Sequence, residues 1–110
     1  MDLVVLCYET SSHFPRQEVY GLTRQLQTSA VSVPANIAEG QGRNSTKELI
    51  NHLSISYGSL MELETHIQIA ARLGYVNEHG VDLLMQRTSE VGRMLNGLMH
   101  DLNKKLTTAP

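Results

Sequence analysis

The chain has 110 residues, of which 41% are hydrophobic and 18% are charged, and these proportions are typical of one globular domain rather than of a disordered chain. Nine basic and 11 acidic side chains give a formal net charge of −2, which argues against a dedicated nucleic-acid binder. The single cysteine, Cys7, excludes an intramolecular disulfide and a cysteine-based zinc site, so we expect a buried, unreactive thiol. The apolar run at 3–6 is too short to span a bilayer and no basic segment precedes it, so we expect a cytoplasmic protein without membrane contact.

The first two predicted helices cover residues 2–11 and 16–40. The first ends before the stretch "TSSHFP", whose proline suits the first turn of the second helix. Apolar residues then recur at helical spacing as far as Ile37, and Gly40 or Gly42 ends the helix. Pro34 cannot donate to the carbonyl of Ala30, which predicts a bend at this point.

The third and fourth predicted helices cover residues 46–73 and 78–106. Ser45 and Glu48 have capping-box spacing at the start of the third helix, and Gly74 suits the residue that follows its end. Asn77 is a good N-cap for the fourth helix. Its apolar stripe includes a repeat of seven residues, formed by Val81, Thr88, Leu95 and Leu102.

Short connections force sequential helices to run antiparallel, so the sequence predicts an all-α, up-down four-helix bundle as a single domain over residues 1–110. With Arg43 as the pivot of the second hairpin, Leu26 would meet Leu60 and the small residues 28–30 would face 56–58. Close helix packing is our preferred explanation of these small residues, and a binding role is the alternative. The first helix is much shorter than the others, which leaves apolar grooves for upstream residues or another subunit to fill. We therefore expect a homo-oligomer.

A polar cluster is predicted at the end of the second helix, where Asn36, Glu39 and Arg43 follow one another at helical spacing. The cluster either forms a hydrogen-bond network that ties the connection to the third helix, or binds a ligand or partner.

Nothing in the sequence indicates an enzyme, because the common hydrolase, nucleotide-binding and metalloprotease motifs are missing. The pairs Glu48/His52 and Glu62/His66 are four residues apart, not the three of di-metal bundles, so we expect exposed helical pairs, no metal and no cofactor.

Four stretches carry a resemblance to a known family: "FPRQEVYGLTRQL" (14–26), "AVSVPANIAEGQGR" (30–43), "STKELINHLSISYGSLMELETHI" (45–67) and "LGYV" (73–76). They cover well over half of the chain in the family's order, and "PANIAEG" is quite specific. The chain resembles the four helix bundle protein family, which includes proteins encoded by intervening sequences of bacterial 23S rRNA genes and the accessory variability determinant of diversity-generating retroelements.

The resemblance implies a small cytosolic bacterial protein that assembles as a ring-like homopentamer. Some relatives bind nucleic acid, and the retroelement member also binds a reverse transcriptase. This chain departs from the family where it has Gln27 and Thr28 in place of a basic pair, and Tyr57 in place of an arginine. Its Met1 also aligns inside the family's first helix, which suggests a shortened or mis-started form.

Two functions follow as hypotheses. The preferred one is a non-catalytic, homo-oligomeric scaffold or interaction protein in which the cluster of Asn36, Glu39 and Arg43 maintains the end of the bundle. The alternative is an RNA- or DNA-binding accessory protein, whose contacts would repeat around a ring and raise avidity. Its candidate contacts are Arg16, Arg24, Arg43 and Lys47.

Overall fold

In a computed structural model, residues 1–108 are described, and they form four α-helices and one short 3-10 helix without any strand. The predicted domain extends to residue 110, and residues 109–110 lie outside the described part. The bounds of the helices are α1 Asp2–Ser11, α2 Leu22–Gln41, α3 Thr46–Arg72 and α4 Glu78–Thr108, with the 3-10 helix at Arg16–Glu18.

Helices that follow each other along the chain pack against each other, and α4 returns to contact α1. Within residues 1–108, no comparable contact joins α1 to α3 or α2 to α4, so the four helices surround a common core. The molecule is elongated, measuring 55 × 24 × 18 Å. The all-helical fold is confirmed, and its helices have the neighbour order of an up-down bundle.

The core consists mainly of leucine side chains from α2, α3 and α4, with Cys7 completely buried on α1. Thr88 is also completely buried, and its hydroxyl donates to Glu64 Oε2 at 2.8 Å across α3 and α4. Burial raises the pKa of the Cys7 thiol to about 12, which keeps it protonated and confirms the prediction of a buried thiol. The largest fully buried side chains include Leu26, Leu53, Leu60, Leu63, Ile67, Leu84 and Leu95.

The predicted helix ends are confirmed on both sides of the loop between α3 and α4, and at the start of α3. The Ser45 hydroxyl accepts from the backbone N–H of Glu48 at 3.2 Å, and Asn77 Oδ1 accepts from that of Gly80 at 2.7 Å. Gly74 has a φ of +78°, and the N–H of Tyr75 donates to the carbonyl of Ala70 at 2.9 Å. These bonds satisfy backbone groups that a helix end otherwise leaves unpaired.

The predicted start of the second helix at residue 16 is wrong, because α2 begins at Leu22. Residues 16–18 form the 3-10 helix instead. The backbone of Gly21 is not helical, with φ −109° and ψ −112°, and it separates this short helix from α2. The Tyr75 hydroxyl donates to Glu18 Oε2 at 2.8 Å and holds this segment against the loop between α3 and α4. That contact joins residues far apart in the sequence, and local helical spacing does not reveal it.

The residues that meet between α2 and α3 also differ from the predicted pairs. Ser29 contacts His66 rather than the segment 56–58, and Ser32 contacts Ser59. Side chains on a helix lean toward its N-terminus, so in an antiparallel pair each residue of α2 meets one farther along α3 than backbone level alone suggests. α2 continues through Pro34 without a break, and the predicted bend there stays a prediction.

Candidate functional site

A row of polar side chains fills the contact between α2 and α3, and we call it the α2–α3 seam. It joins Ser29, Ser32 and Asn36 on α2 to His52, Ser59 and His66 on α3. The Ser32 and Ser59 hydroxyls are 2.7 Å apart, and Ser29 Oγ lies 3.2 Å from His66 Nδ1. Asn36 Oδ1 lies 3.4 Å from His52 Nδ1. Sequence analysis did not identify this row, although its three α2 residues recur at helical spacing.

The Ser29 hydroxyl has two acceptors within reach. It lies 3.1 Å from the carbonyl of Leu26 and 3.2 Å from His66 Nδ1, and it can donate its one proton to only one of them at a time. The ring nitrogen of His66 that carries the proton decides the direction of the bond to Ser29. In either direction, this bond connects α2 to α3.

His66 and His52 are half-buried in the seam, so the expectation of exposed pairs with glutamate is wrong for both histidines. Burial lowers the pKa of His66, and the negative charge of Glu62 opposes part of this effect. His66 is consequently disposed to stay neutral near pH 7.

Acidification is expected to lower the free energy of unfolding through His66. Because the folded state holds the pKa of His66 below its ordinary value of 6.5, the unfolded chain takes up the proton first as pH falls below that value. The contribution of neutral His66 to stability is thus complete above pH 6.5 and declines below it.

Thermal denaturation of the wild type and of His66→Gln across this pH range measures the effect. The variant should lose less stability on acidification than the wild type. His79→Gln, at an exposed position of α4, is the matched control and should follow the wild-type pH profile. Equal pH profiles for His66→Gln and the wild type would contradict the assignment.

The structure divides the predicted polar cluster of Asn36, Glu39 and Arg43. Arg43 Nη2 lies 3.0 Å from Glu39 Oε1, and both side chains are about half exposed. Asn36 instead donates to the carbonyl of Ser32 at 2.9 Å and to its hydroxyl at 3.0 Å, and thereby belongs to the seam. The cause is the helical angle: Asn36 lies toward α3, whereas Glu39 and Arg43 form an exposed ion pair.

The four predicted nucleic-acid contacts do not form one patch. Arg16 belongs to the 3-10 helix and Arg24 to the first turns of α2, whereas Arg43 and Lys47 flank the connection to α3. About 28 Å separates Arg24 from Arg43 if the helical rise is applied along α2. Arg43 is already paired with Glu39.

A shallow groove of about 560 Å³ lies along the outer side of the seam. Arg24, Glu62 and Tyr20 line the groove, and the side chain of Tyr20 is 87% exposed. The remaining lining residues are polar: Gln25, Thr28, Ser29, Ser32, Ser59 and His66.

A second, more apolar surface spans α1 and the adjoining side of α4, and we call it the α1–α4 surface. Met1, Val5 and Tyr8 lie on the side of α1 away from the core and are 85%, 55% and 45% exposed. Met94 and Leu98 continue the surface along α4, with exposures of 50% and 42%. The groove between the two helices has a volume of about 720 Å³.

The described residues contain no group of three or more histidine, cysteine, aspartate or glutamate side chains that could hold a metal ion. Among the helices of residues 1–108, none combines the length and the apolar character needed to cross a membrane.

Comparison with known proteins agrees with the helical architecture. The family model described as "23S rRNA-intervening sequence protein" matches residues 1–97. A crystal structure of a protein of unknown function from the S23 ribosomal protein family of Bacteroides thetaiotaomicron is similar, with a TM-score of 0.77 and 22% sequence identity over 87% of each chain. No curated protein matches the chain. Because the family model covers most of the sequence, the chain belongs to the 23S rRNA-intervening sequence protein family.

Proposed function

We propose that this chain is a non-catalytic cytoplasmic protein that assembles with copies of itself and serves as a scaffold for interactions. The observation that carries the proposal is the exposure of several apolar side chains on α1 and α4, on either side of a groove that also contains charged side chains. The charged residues of the groove are Asp2, Glu9, Arg87 and Glu90. Single exposed apolar residues are common on monomers, but several on adjoining helices are typical of an interface.

The mass of the protein in solution tests the proposal directly. We expect sedimentation velocity at micromolar concentration to give a mass several times that of the 12.2 kDa chain. The family resemblance implies five copies, and the measured multiple decides that number. A chain that sediments as a monomer at this concentration would contradict the proposal.

Nucleic-acid binding is the second candidate function, and one observation favours it. Tyr20 and Arg24 both line the outer groove. An exposed ring can stack on an unpaired base while a neighbouring cation contacts phosphate. Glu62 in the same groove and the net charge of −2 oppose the binding of a polyanion.

Fluorescence anisotropy with single-stranded RNA and DNA at several salt concentrations measures this activity. If the groove binds a strand, Arg24→Gln should weaken binding and reduce the salt slope by about 1, and Tyr20→Ala should weaken binding with little change of slope. Arg87→Gln is a matched control, because this arginine lies 3.6 Å from Glu90 on α4, away from the groove. Absence of binding at roughly 50 mM salt would rule out this candidate.

A further inference from the structure

The turn between α2 and α3 contains an exposed asparagine. Asn44 lies between the end of α2 at Gln41 and the start of α3 at Thr46. Within residues 1–108, neither the side-chain amide of Asn44 nor the backbone N–H of Ser45 takes part in a hydrogen bond. No competing contact therefore holds these two neighbouring groups apart.

An asparagine side chain can react with the backbone of the residue that follows it, which makes asparagine a thermolabile residue. The backbone nitrogen of Ser45 would attack Asn44 Cγ, and the new C–N bond closes a succinimide ring. The Cγ–Nδ2 bond breaks, and the amide nitrogen leaves as ammonia with the proton that the Ser45 N–H has lost. Water then opens the ring at one of its two carbonyl carbons and leaves either aspartate or isoaspartate. The net reaction consumes one water molecule and releases one ammonia molecule.

Secondary structure controls whether the ring can close. The backbone has to rotate about the Cα–C bond of the asparagine before the next nitrogen reaches Cγ. Inside an α-helix this rotation is blocked, because the next N–H donates to a carbonyl one turn back. Asn44 and Ser45 precede the first residue of α3, so no helical hydrogen bond has to break there.

The chain contains a second asparagine with a more reactive neighbour. Asn96 precedes Gly97, and a glycine neither hinders the attacking nitrogen with a side chain nor restricts the backbone. Asn96 is exposed as well, so access of water does not distinguish it from Asn44. However, Asn96 lies in the interior of α4, where the N–H of Gly97 is held by the helix. The fold thus reverses the order of reactivity that the two asparagines would have in an unfolded chain.

We propose that Asn44 is a site of spontaneous deamidation, which converts the folded protein to forms with aspartate or isoaspartate at position 44. Both forms add one negative charge to the net charge of −2, directly beside Arg43. The isoaspartate form also lengthens the main chain by one carbon just before Ser45, whose hydroxyl accepts from the N–H of Glu48 at 3.2 Å. Displacement of this cap destabilises the start of α3. The modification is independent of self-assembly.

Peptide mapping by mass spectrometry tests the site. The purified protein is incubated at mildly alkaline pH, folded in one sample and unfolded in guanidinium chloride in another, until Asn96 has converted in the unfolded sample. In the folded sample, the peptide with Asn44 should gain about 1 Da, the mass difference between water and ammonia, while the peptide with Asn96 keeps its mass. A folded sample in which Asn96 converts as fast as Asn44, or in which neither converts, would overturn the proposal.

Two variants identify the reacting atoms, and far-UV circular dichroism checks that each keeps its helices. Asn44→Gln should show no gain of mass at position 44, because the longer side chain would have to close a larger ring. After equal incubation, it should also keep a higher melting temperature than the wild type. Ser45→Gly should speed the conversion of Asn44 several-fold, because glycine leaves the attacking nitrogen unhindered and is tolerated at a helix cap. Equal rates in Ser45→Gly and the wild type would contradict attack by this nitrogen and overturn the proposed reaction.

Discussion

Replacing Gly40 with alanine is expected to destabilise the protein by about 1–2 kcal/mol, although alanine is the better helix former. A methyl group at this position would lie 2.8 Å from His52 Cβ and 3.0 Å from Leu49 Cδ1. His52 Cβ is close to the backbone and cannot rotate away, so α2 and α3 would have to separate. Their separation would also lengthen the bond between Asn36 and His52.

Thermal denaturation at one fixed protein concentration measures the effect, since self-assembly makes the melting temperature depend on concentration. Gly58→Ala is the matched control, because Gly58 lies inside α3 and an added methyl group meets no atom within 4 Å. That variant should gain stability by up to about 1 kcal/mol through helix propensity. A melting temperature for Gly40→Ala at or above the wild-type value would contradict the prediction, because it would mean that α2 and α3 accept the methyl group without a loss of stability.

Replacing Leu60 with alanine is expected to cost about 2–5 kcal/mol, the largest loss that we predict. Leu60 is completely buried on α3, and its Cδ2 would lie 3.4 Å from a methyl group added at Gly92 on α4. The leucine thus fills the space that this glycine leaves open. Gly92 has no side chain, so α4 offers nothing at that position to fill the cavity that Leu60→Ala would leave.

Urea denaturation measures this loss as a lower midpoint with an unchanged slope. Ile55→Ala on the same helix is the matched control, since its side chain is 46% exposed and should cost about 1 kcal/mol or less. Equal losses at the two positions would contradict the assignment of Leu60 to the centre of the core.

The α2–α3 seam explains why the segment containing Pro34 and Gly40 is so rich in small and polar residues. Ser32 and Asn36 bond across to α3, Ser56 donates to the carbonyl of Val33 at 2.8 Å, and Gly40 allows the close approach near the turn. Polar contacts of this kind define which residues of two helices face each other, because a shifted pairing would leave buried polar groups unpaired. We assign the segment mainly a structural role, with the outer groove as its exposed side.

Several features of the fold could be predicted because they depend on residues close together in the chain. Apolar spacing identified four helices, and short connections implied their antiparallel order. Ser45, Gly74 and Asn77 marked helix ends correctly, since each acts on backbone groups within three or four residues of itself. The resemblance carried by the segment around "PANIAEG" agreed with the family that the matched model shows.

The candidate sites were less predictable, because their contacts join distant residues. The hydrogen bond between Tyr75 and Glu18 holds the segment 16–21, which is not part of α2. The sequence around Glu18 contains no signal that predicts this bond. Arg43 pairs with Glu39 as helical spacing suggests, but Asn36 turns to His52, whose position depends on how α3 lies against α2.

For this protein, the sequence alone determined the helices, most of their ends and their order, because these properties follow from local spacing, backbone capping and short connections. The tertiary structure decided the pairing along the α2–α3 seam. It also decided which apolar side chains of α1 and α4 stay exposed. These properties depend on the distance and rotation between packed helices, which are set by side-chain contacts over the whole core.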